Sequence, residues 1–282
     1  MTVSRADLLP REQLRLLDHW LGEWHLEEDM SWGVQDIRVL RVRSPEGPVV
    51  VKASPTLHHI QREIRAYRDM TEPLGTRSPR LLYGNGRVGL IVATWLPGHL
   101  VEGGAHEYSP ETFRQAGELL ALLHRPVQET PSYDPAAIHK IGDFLNRADR
   151  LAPQPHLEAA RHLLRTHRPA PRMLYATHGD YQPRNWVEDQ GVVRVIDFGR
   201  AGYRPWVTDL VRLEHAYFTD HPELRSAFLG AYRRDPEDEP GSWLLDNLLQ
   251  SLGTIVWAHD VGDAPFEQNG REMLARVVER FA

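Results

Sequence analysis

His178-Gly179-Asp180-Tyr181-Gln182-Pro183-Arg184-Asn185, followed by Val192-Val193-Arg194-Val195-Ile196-Asp197-Phe198-Gly199-Arg200, is the stretch on which the fold turns. The run 192–197 is apolar and β-branched and reads as a strand, as does 173–177 upstream; together they interrupt a region whose pattern is otherwise helical. Asp180, Asn185 and Asp197, three side chains with oxygen acceptors, thereby stand at strand edges. One aspartate in a turn commonly caps its own backbone. Three acceptors in fixed order around a short β excursion ask for a shared purpose.

Upstream of this region the chain is β-rich. Residues 10–21 read as a helix with Pro10 at its first position, Leu14, Leu17 and Leu21 at helical spacing, and Gly22 as its stop. Segments 23–28, 37–43 and 48–53 have strand content, with Ser44-Pro45-Glu46-Gly47 as the hairpin turn between the second and third. A helix from Ser54-Pro55 to about Met70 carries Leu57, Ile60, Ile64 and Tyr67 on its apolar face, and strands follow near 80–83 and 89–94. After Leu96-Pro97-Gly98 helical patterns take over: one from Ser109-Pro110 with the stripe Phe113, Ala116, Leu119, Leu120, Leu123, then others near 138–150 and 156–167, and again from the β excursion to the C-terminus. The expected architecture is α+β, a β-rich lobe over residues 1–97 and a larger, mainly helical lobe over residues 98–282.

The pattern H-x-D-x-x-x-x-N followed by D-F-G resembles the catalytic and metal loops of the protein-kinase-like superfamily. Phosphoryl transfer needs neutralisation of triphosphate charge, hard oxygen ligands for magnesium, and an aligned hydroxyl. On that reading Asn185 and Asp197 supply the metal oxygens, Asp180 is the base that accepts the hydroxyl proton, and His178 holds the loop. A second match lies far upstream: Val49-Val50-Val51-Lys52 resembles the V-A-I-K of kinases, whose lysine grips the phosphates. Strand alternation puts Val50, as roof of the base, on the same face as Lys52. Glu63 lies beside the apolar stripe of the next helix and is the natural partner of Lys52, the alternative being a solvated helix residue. Between the first two strands the loop Asp29-Met30-Ser31-Trp32-Gly33-Val34-Gln35-Asp36 has one glycine, not a glycine-rich run. Backbone N–H groups near Ser31 and Gly33 are candidates to cradle phosphates, with an ordinary hairpin loop as the alternative.

From about Trp24 to Asp209 these residues resemble the aminoglycoside phosphotransferase family. His178 to Asn185 matches its catalytic loop, Ile196 to Gly202 its metal loop, Leu123-His124 its Leu-His helix end, and Asp209-Leu210 a structural position after the metal loop. The resemblance implies a bilobal protein-kinase-like fold, ATP or GTP with Mg2+ as cofactors, and a hinge at Thr94, Trp95 and Leu96 whose backbone would bond the purine. It also implies a small-molecule hydroxyl acceptor, drawn across the family from aminoglycosides, macrolides, cationic peptide antibiotics such as viomycin and capreomycin, choline and homoserine. Antibiotic phosphorylation giving resistance is the leading expectation, with a metabolic choline- or homoserine-type kinase as the alternative. Asp246, Asp260, Asp263 and Glu267 are candidates to receive the amines of a cationic acceptor, against a solvated helix face.

Composition sets the outer bounds. At 282 residues, 41% apolar and 26% charged, the chain is sized for a substantial core, and no apolar run reaches membrane-spanning length. The absence of cysteine removes disulfides, thiolate nucleophiles and sulfur-ligated zinc. A net charge of −6 argues against a broad nucleic-acid surface and favours a cationic or neutral partner. Without a secretory signal pattern the expected address is cytoplasmic, with no membrane or nucleic-acid partner, as a monomer or homodimer. Only Lys52 and Lys140 are lysine among 33 basic residues, so a lysine kept in a strand before the kinase-like loops stands out. A protein kinase is disfavoured, since eleven residues separate Asp197 from Asp209 and no A-P-E follows. A nucleotide-binding pseudokinase acting as regulator is disfavoured by retention of Lys52, Glu63, Asp180, Asn185 and Asp197 together.

Overall fold

The computed structural model describes residues 8–31 and 37–281. The chain divides into two compact units, residues 1–123 with 178–202 and residues 124–177 with 203–282.

The first unit opens with helix α1 (Arg11–Leu21) and an antiparallel sheet of β1 (His25–Asp29), β2 (Arg38–Ser44), β3 (Gly47–Ala53), β4 (Leu81–Asn85) and β5 (Leu90–Thr94), in the order β1-β2-β3-β5-β4. The hairpin expected at Ser44 to Gly47 is present, with those two residues paired across it. One face of the sheet buries Leu40, Val42, Val49, Val51, Ala53, Leu90 and Val92 together with Leu17 of α1. Period-two alternation therefore turns Val50 and Lys52 to the opposite face, where Ile91 stands across from Lys52 in the ladder. Helix α2 (Leu57–Asp69) covers that face by packing Ile60 and Ile64 on Ile91.

Strand β6 (His99–Leu100) joins β9 (Trp186–Asp189), which pairs with β10 (Val192–Val195). The β9–β10 turn uses Gln190 and Gly191, at φ 51° and 80°, and two consecutive positive φ values give a turn whose twist matches its strands. At Gly98, φ is 117° and a Cβ would sit 2.3 Å from the Glu188 carbonyl oxygen, so only glycine lets the chain reach β9 here. Helix α3 (Pro110–Leu123) buries the whole expected stripe, Phe113 to Leu123. Gln115 on that helix accepts from the backbone N of Val193 and donates to the Gly191 carbonyl, tying α3 to the β9–β10 hairpin.

The second unit holds a sheet ordered β11-β8-β7, from β7 (Pro126–Thr130), β8 (Arg172–Thr177) and β11 (Gly202–Arg204). Its helices are α4 (Tyr133–Arg147), α5 (Gln154–Thr166), α6 (Pro222–Tyr232), α7 (Pro240–Val261) and α8 (Ala264–Phe281). Ile141, Leu145, Leu157, Leu245, Leu248, Leu252, Ile255, Leu274 and Val277 form its core. His124 and Asp209 are both buried there, His124 Nε2 donating to Asp209 Oδ2 at 2.9 Å, which fits the structural position the sequence suggested for Asp209.

Several elements differ from the sequence reading. Helix α4 begins at Tyr133, not near 138, because Pro135 sits in its first turn, where no intrahelical N–H is needed. Strand β7 was absent from the reading, since PVQET is exposed along nearly its whole length and shows no apolar alternation. Strand β9 directly follows Asn185 and completes the hairpin whose second strand, β10, the sequence did indicate. Among the described residues no helix is long and apolar enough to cross a membrane.

Candidate active site

Lys52 projects from β3 towards Glu63 of α2, donating to its Oε1 at 2.9 Å and Oε2 at 3.2 Å. The same Nζ lies 3.0 Å from Asp197 Oδ1. Glu63 is buried one turn before Tyr67, whose hydroxyl donates to Glu63 Oε1 at 2.9 Å. Placement follows from local rules: β3 alternation aims the lysine, and the Ile60–Ile64 contact fixes the α2 face that holds Glu63.

Charge is shared unequally in this trio. Burial works to lower the Lys52 pKa, but Asp197 and Glu63 outweigh it and the ammonium is held protonated, above the ordinary lysine range. For Asp197, burial works upward, yet the charge and hydrogen bond of Lys52 prevail and hold the carboxyl well below the usual range. Glu63 moves the other way: burial pushes it up, Lys52 opposes, and Asp197 adds to the rise. One cation divided between two carboxylates favours ionisation of Asp197, whose side chain keeps 52% exposure against 3% for Glu63.

The catalytic-loop segment is anchored by large buried rings. Tyr181 donates its hydroxyl to the Ala116 carbonyl of α3 at 2.6 Å, and Trp186 packs between Phe113 and Tyr181. His178 Nε2 donates to the Ile196 carbonyl at 2.9 Å while its Nδ1 accepts from the Asp180 backbone N at 3.3 Å, so the ring joins the two loops, as its holding role requires. Asp180 receives Gln182 Nε2 on Oδ1 at 2.6 Å, and Arg184 Nη2 on Oδ2 at 2.7 Å. Asn185 Nδ2 donates to the Asp180 carbonyl at 2.8 Å and to its Oδ2 at 3.2 Å, which leaves the amide oxygen of Asn185 as the atom suited to a metal. Asp197 has φ 63°, a left-handed conformation that aspartate tolerates better than most residues and that gathers at functional sites.

Lys52, Glu63, Asp180 and Asp197 line one pocket, together with Ile37, Val39, His59, Ile60, Gly199 and Arg200. Asp197 lines this pocket, and Asn185, outside that lining, is bonded to Asp180, which also lines it; magnesium takes only one or two protein oxygens and completes its shell with phosphate and water. Val50 shares the Lys52 face of β3 and pairs with Ala93. At the expected hinge, the Thr94 backbone N donates to the Arg80 carbonyl and Thr94 Oγ1 accepts from Arg80 N, both at 2.9 Å, while Leu96 follows β5 half-buried. Trp95 carries the Arg41 guanidinium 4.4 Å from its ring centre. Ser31 Oγ accepts from the Val39 backbone N at 3.0 Å, and its own N donates to Asp29 Oδ1 at 3.0 Å. Gly33 lies outside the described residues.

Asp246 is buried in the first third of α7, and Asp260 is fourteen residues further on, about 21 Å along the helix axis. Asp260 pairs with Arg147 at 2.6 Å, Asp263 Oδ1 caps the Phe266 backbone N at 3.1 Å, and Glu267 is held by Arg271 and His259. Asp246 accepts from Tyr133 at 3.1 Å and from Thr208 at 2.8 Å. Burial raises its carboxyl to about 7, with Thr208, Tyr133 and the charge of Arg204 opposing and that of Asp134 adding.

The Asp246 shift carries a stability prediction. A folded-state pKa above the unfolded one gives a contribution fully present below about pH 4 and lost as pH rises through about 7. A displacement of that size corresponds to roughly 4 kcal/mol at most. Asp246→Asn keeps an acceptor for both hydroxyls and removes the charge. Thermal melts from pH 5 to 8.5 are expected to show the wild-type Tm falling across that window relative to the variant; parallel curves would contradict the raised carboxyl.

Residues that the motifs did not single out also meet these groups. His59 stands one helical turn before Glu63 and contacts the Gly199 carbonyl through Nδ1 at 3.2 Å; its i, i+4 spacing from Glu63 was the available signal. Gln182 and Arg184 reach Asp180 through an irregular turn, which no periodicity would reveal.

Comparison with known proteins agrees with this geometry. The sequence finds no match among curated proteins. The fold is close to solved antibiotic phosphotransferases: APH(4)-Ia, an aminoglycoside phosphotransferase, at TM-score 0.69 and 12% identity over 95% of this chain and 98% of that one. A gentamicin complex of APH(2")-IIa aligns at TM-score 0.65 and 16% identity over 95% and 96%. A macrolide 2'-phosphotransferase type I aligns at 0.62 and 16% over 98% of each chain. These likenesses establish the α+β, bilobal kinase-type fold. A family model described as the phosphotransferase enzyme family matches residues 31–243, most of the chain and every residue of the Lys52, Glu63, Asp180, Asn185 and Asp197 constellation, and the protein belongs to that family.

Proposed function

We propose that this phosphotransferase is a small-molecule kinase, transferring the γ-phosphoryl group of a magnesium-bound ATP or GTP to a hydroxyl of its acceptor. The observation that carries the reading is the 3.0 Å contact between Lys52 and Asp197 in a pocket that Asp180 also lines. Lys52, kept charged, binds the phosphates, and Glu63 fixes its direction. Val50 roofs the base, Thr94 and Leu96 flank it, and the loop of Ser31 and Gly33 covers the phosphates. Asn185 and Asp197 hold magnesium, which when bound neutralises phosphate charge. Asp180 orients the acceptor hydroxyl and takes its proton as the oxygen bonds to phosphorus and the bond to the nucleoside diphosphate breaks. On this reading residues 1–97 bind nucleotide and residues 98–282 supply catalysis and acceptor binding, in the cytoplasm, without nucleic-acid or membrane partners.

The acceptor we favour is an antibiotic, an aminoglycoside or a cationic peptide antibiotic, so that phosphorylation gives resistance. The gentamicin complex of APH(2")-IIa and a ternary complex of APH(4)-Ia with ADP and hygromycin B support a hydroxyl-bearing drug as acceptor class. A second reading, a less cationic acceptor, is favoured by one observation: Asp246, Asp260, Asp263 and Glu267 each already serve a partner within the fold. Amine recognition would require them to exchange those partners.

Incubation with magnesium and either ATP or GTP, against a panel of aminoglycosides, capreomycin, viomycin, macrolides, choline and homoserine, tests both readings. The expected result is one acceptor class gaining the mass of a phosphoryl group in a magnesium-dependent manner. Nucleotide-dependent thermal stabilisation without transfer to any acceptor would favour a pseudokinase and overturn the proposal.

A further inference from the structure

Asp180 does not stand alone in its loop. Its neighbourhood is assembled from the residues that follow it: Gln182 Nε2 on Oδ1 at 2.6 Å, Asn185 Nδ2 on Oδ2 at 3.2 Å, and Arg184 Nη2 on Oδ2 at 2.7 Å. Of these three donors the arginine is the charged one. Asp180 is 8% exposed, and a buried anion is costly unless a cation meets it with hydrogen bonds. Lys52 is already divided between Glu63 and Asp197. The Asp180 backbone is held apart from its carboxylate, its N by His178 Nδ1 at 3.3 Å and its carbonyl by Asn185 Nδ2 at 2.8 Å. The single 3-10 turn Pro183–Asn185 sends Arg184 back over the loop, where its charge is also felt by Glu102. A guanidinium differs from an ammonium here in being planar, always charged and preorganised for directional bonds.

We propose that Arg184 is a positioning residue for phosphoryl transfer, holding the Asp180 carboxylate in the orientation from which it receives the acceptor proton. The proposal rests on Asp180 being the base. Arg184 touches neither reactant in this role; it acts through the carboxylate. A displacement of about 1 Å of a reacting group costs on the order of 10²-fold in rate, so loss of the clamp should appear in turnover and not in nucleotide affinity. Arg184→Lys keeps the charge and loses the planar geometry, and should fall between the wild type and Arg184→Gln.

The test uses the full chain with the acceptor found in the panel above, and compares wild type, Arg184→Gln, Arg184→Lys, Arg184→Ala, Asp180→Asn and the double variant Asp180→Asn/Arg184→Gln. Arg184→Gln is expected to lower kcat by about 10- to 100-fold with the nucleotide KM within about twofold of wild type. Guanidinium ion added to Arg184→Ala should restore part of the rate, and the double variant should be no slower than Asp180→Asn, because both changes disable one unit. An unchanged kcat in Arg184→Gln, a parallel loss of nucleotide binding and turnover, or a double variant slower than Asp180→Asn would overturn the role of Arg184. Full activity of Asp180→Asn would instead remove the base itself, a separate outcome that the single variants distinguish.

Discussion

Asp180→Asn is expected to lower turnover by about 10²-fold or more while nucleotide affinity stays within about twofold of wild type. The amide keeps the shape of the carboxylate and loses the capacity to take a proton. Its effect on the loop is not neutral: three donors, from Gln182, Arg184 and Asn185, converge on Asp180, and an amide presents an N–H group to at least one of them. A thermal melt of the variant therefore accompanies the kinetics. Nucleotide binding is the control that separates lost chemistry from a lost fold, because Lys52, Glu63 and Asp197 form their own network without Asp180. Retention of full activity would show that the hydroxyl proton leaves by another route.

Much of this site is legible in the sequence because kinase-type chemistry imposes residue types at close spacing. Asp180, Asn185 and Asp197 fall within eighteen residues, and a hairpin between them has little freedom once β9 and β10 pair. Lys52 and Glu63 are legible differently, through alternation along β3 and the helical stripe of α2, and the 2.9 Å contact between them is consistent with those two periodicities. The contact of Arg184 with Asp180 is not legible, because it depends on backbone angles in a turn that spacing alone does not encode. Strand β7 escaped because an exposed edge strand needs no apolar pattern to form when β8 offers a paired partner.

The carboxylates of the C-terminal region are less legible. Charge in a sequence does not say whether a side chain faces a ligand or a neighbour. Arg147, Arg271, Tyr133 and Thr208 are the neighbours, all far from their partners in the chain except Arg271. Long-range pairing of this kind becomes visible only in three dimensions.

Asp197→Ala is expected to abolish the magnesium-dependent part of nucleotide binding, a loss exceeding the roughly 10- to 100-fold produced by removing outer-shell partners of a metal. The alanine variant mixes two effects, because residue 197 sits at φ 63° and a left-handed conformation costs an ordinary L-residue roughly 1–2 kcal/mol. Asp197→Asn separates them: asparagine tolerates that conformation and removes only the charge. Both variants also release Lys52 from one of its two anions, which leaves Glu63 as its sole partner in the Lys52–Glu63–Asp197 trio and should preserve a weak, metal-independent attraction for triphosphate. Titration of a fluorescent nucleotide with and without magnesium reads the difference. In the wild type magnesium should tighten binding; in Asp197→Asn the two curves should nearly coincide, and in Asp197→Ala they should coincide with an additional loss of thermal stability. If magnesium still strengthens binding to Asp197→Asn as it does to wild type, the metal lies elsewhere, and the 3.0 Å contact between Lys52 and Asp197 serves only to hold the metal loop against the sheet.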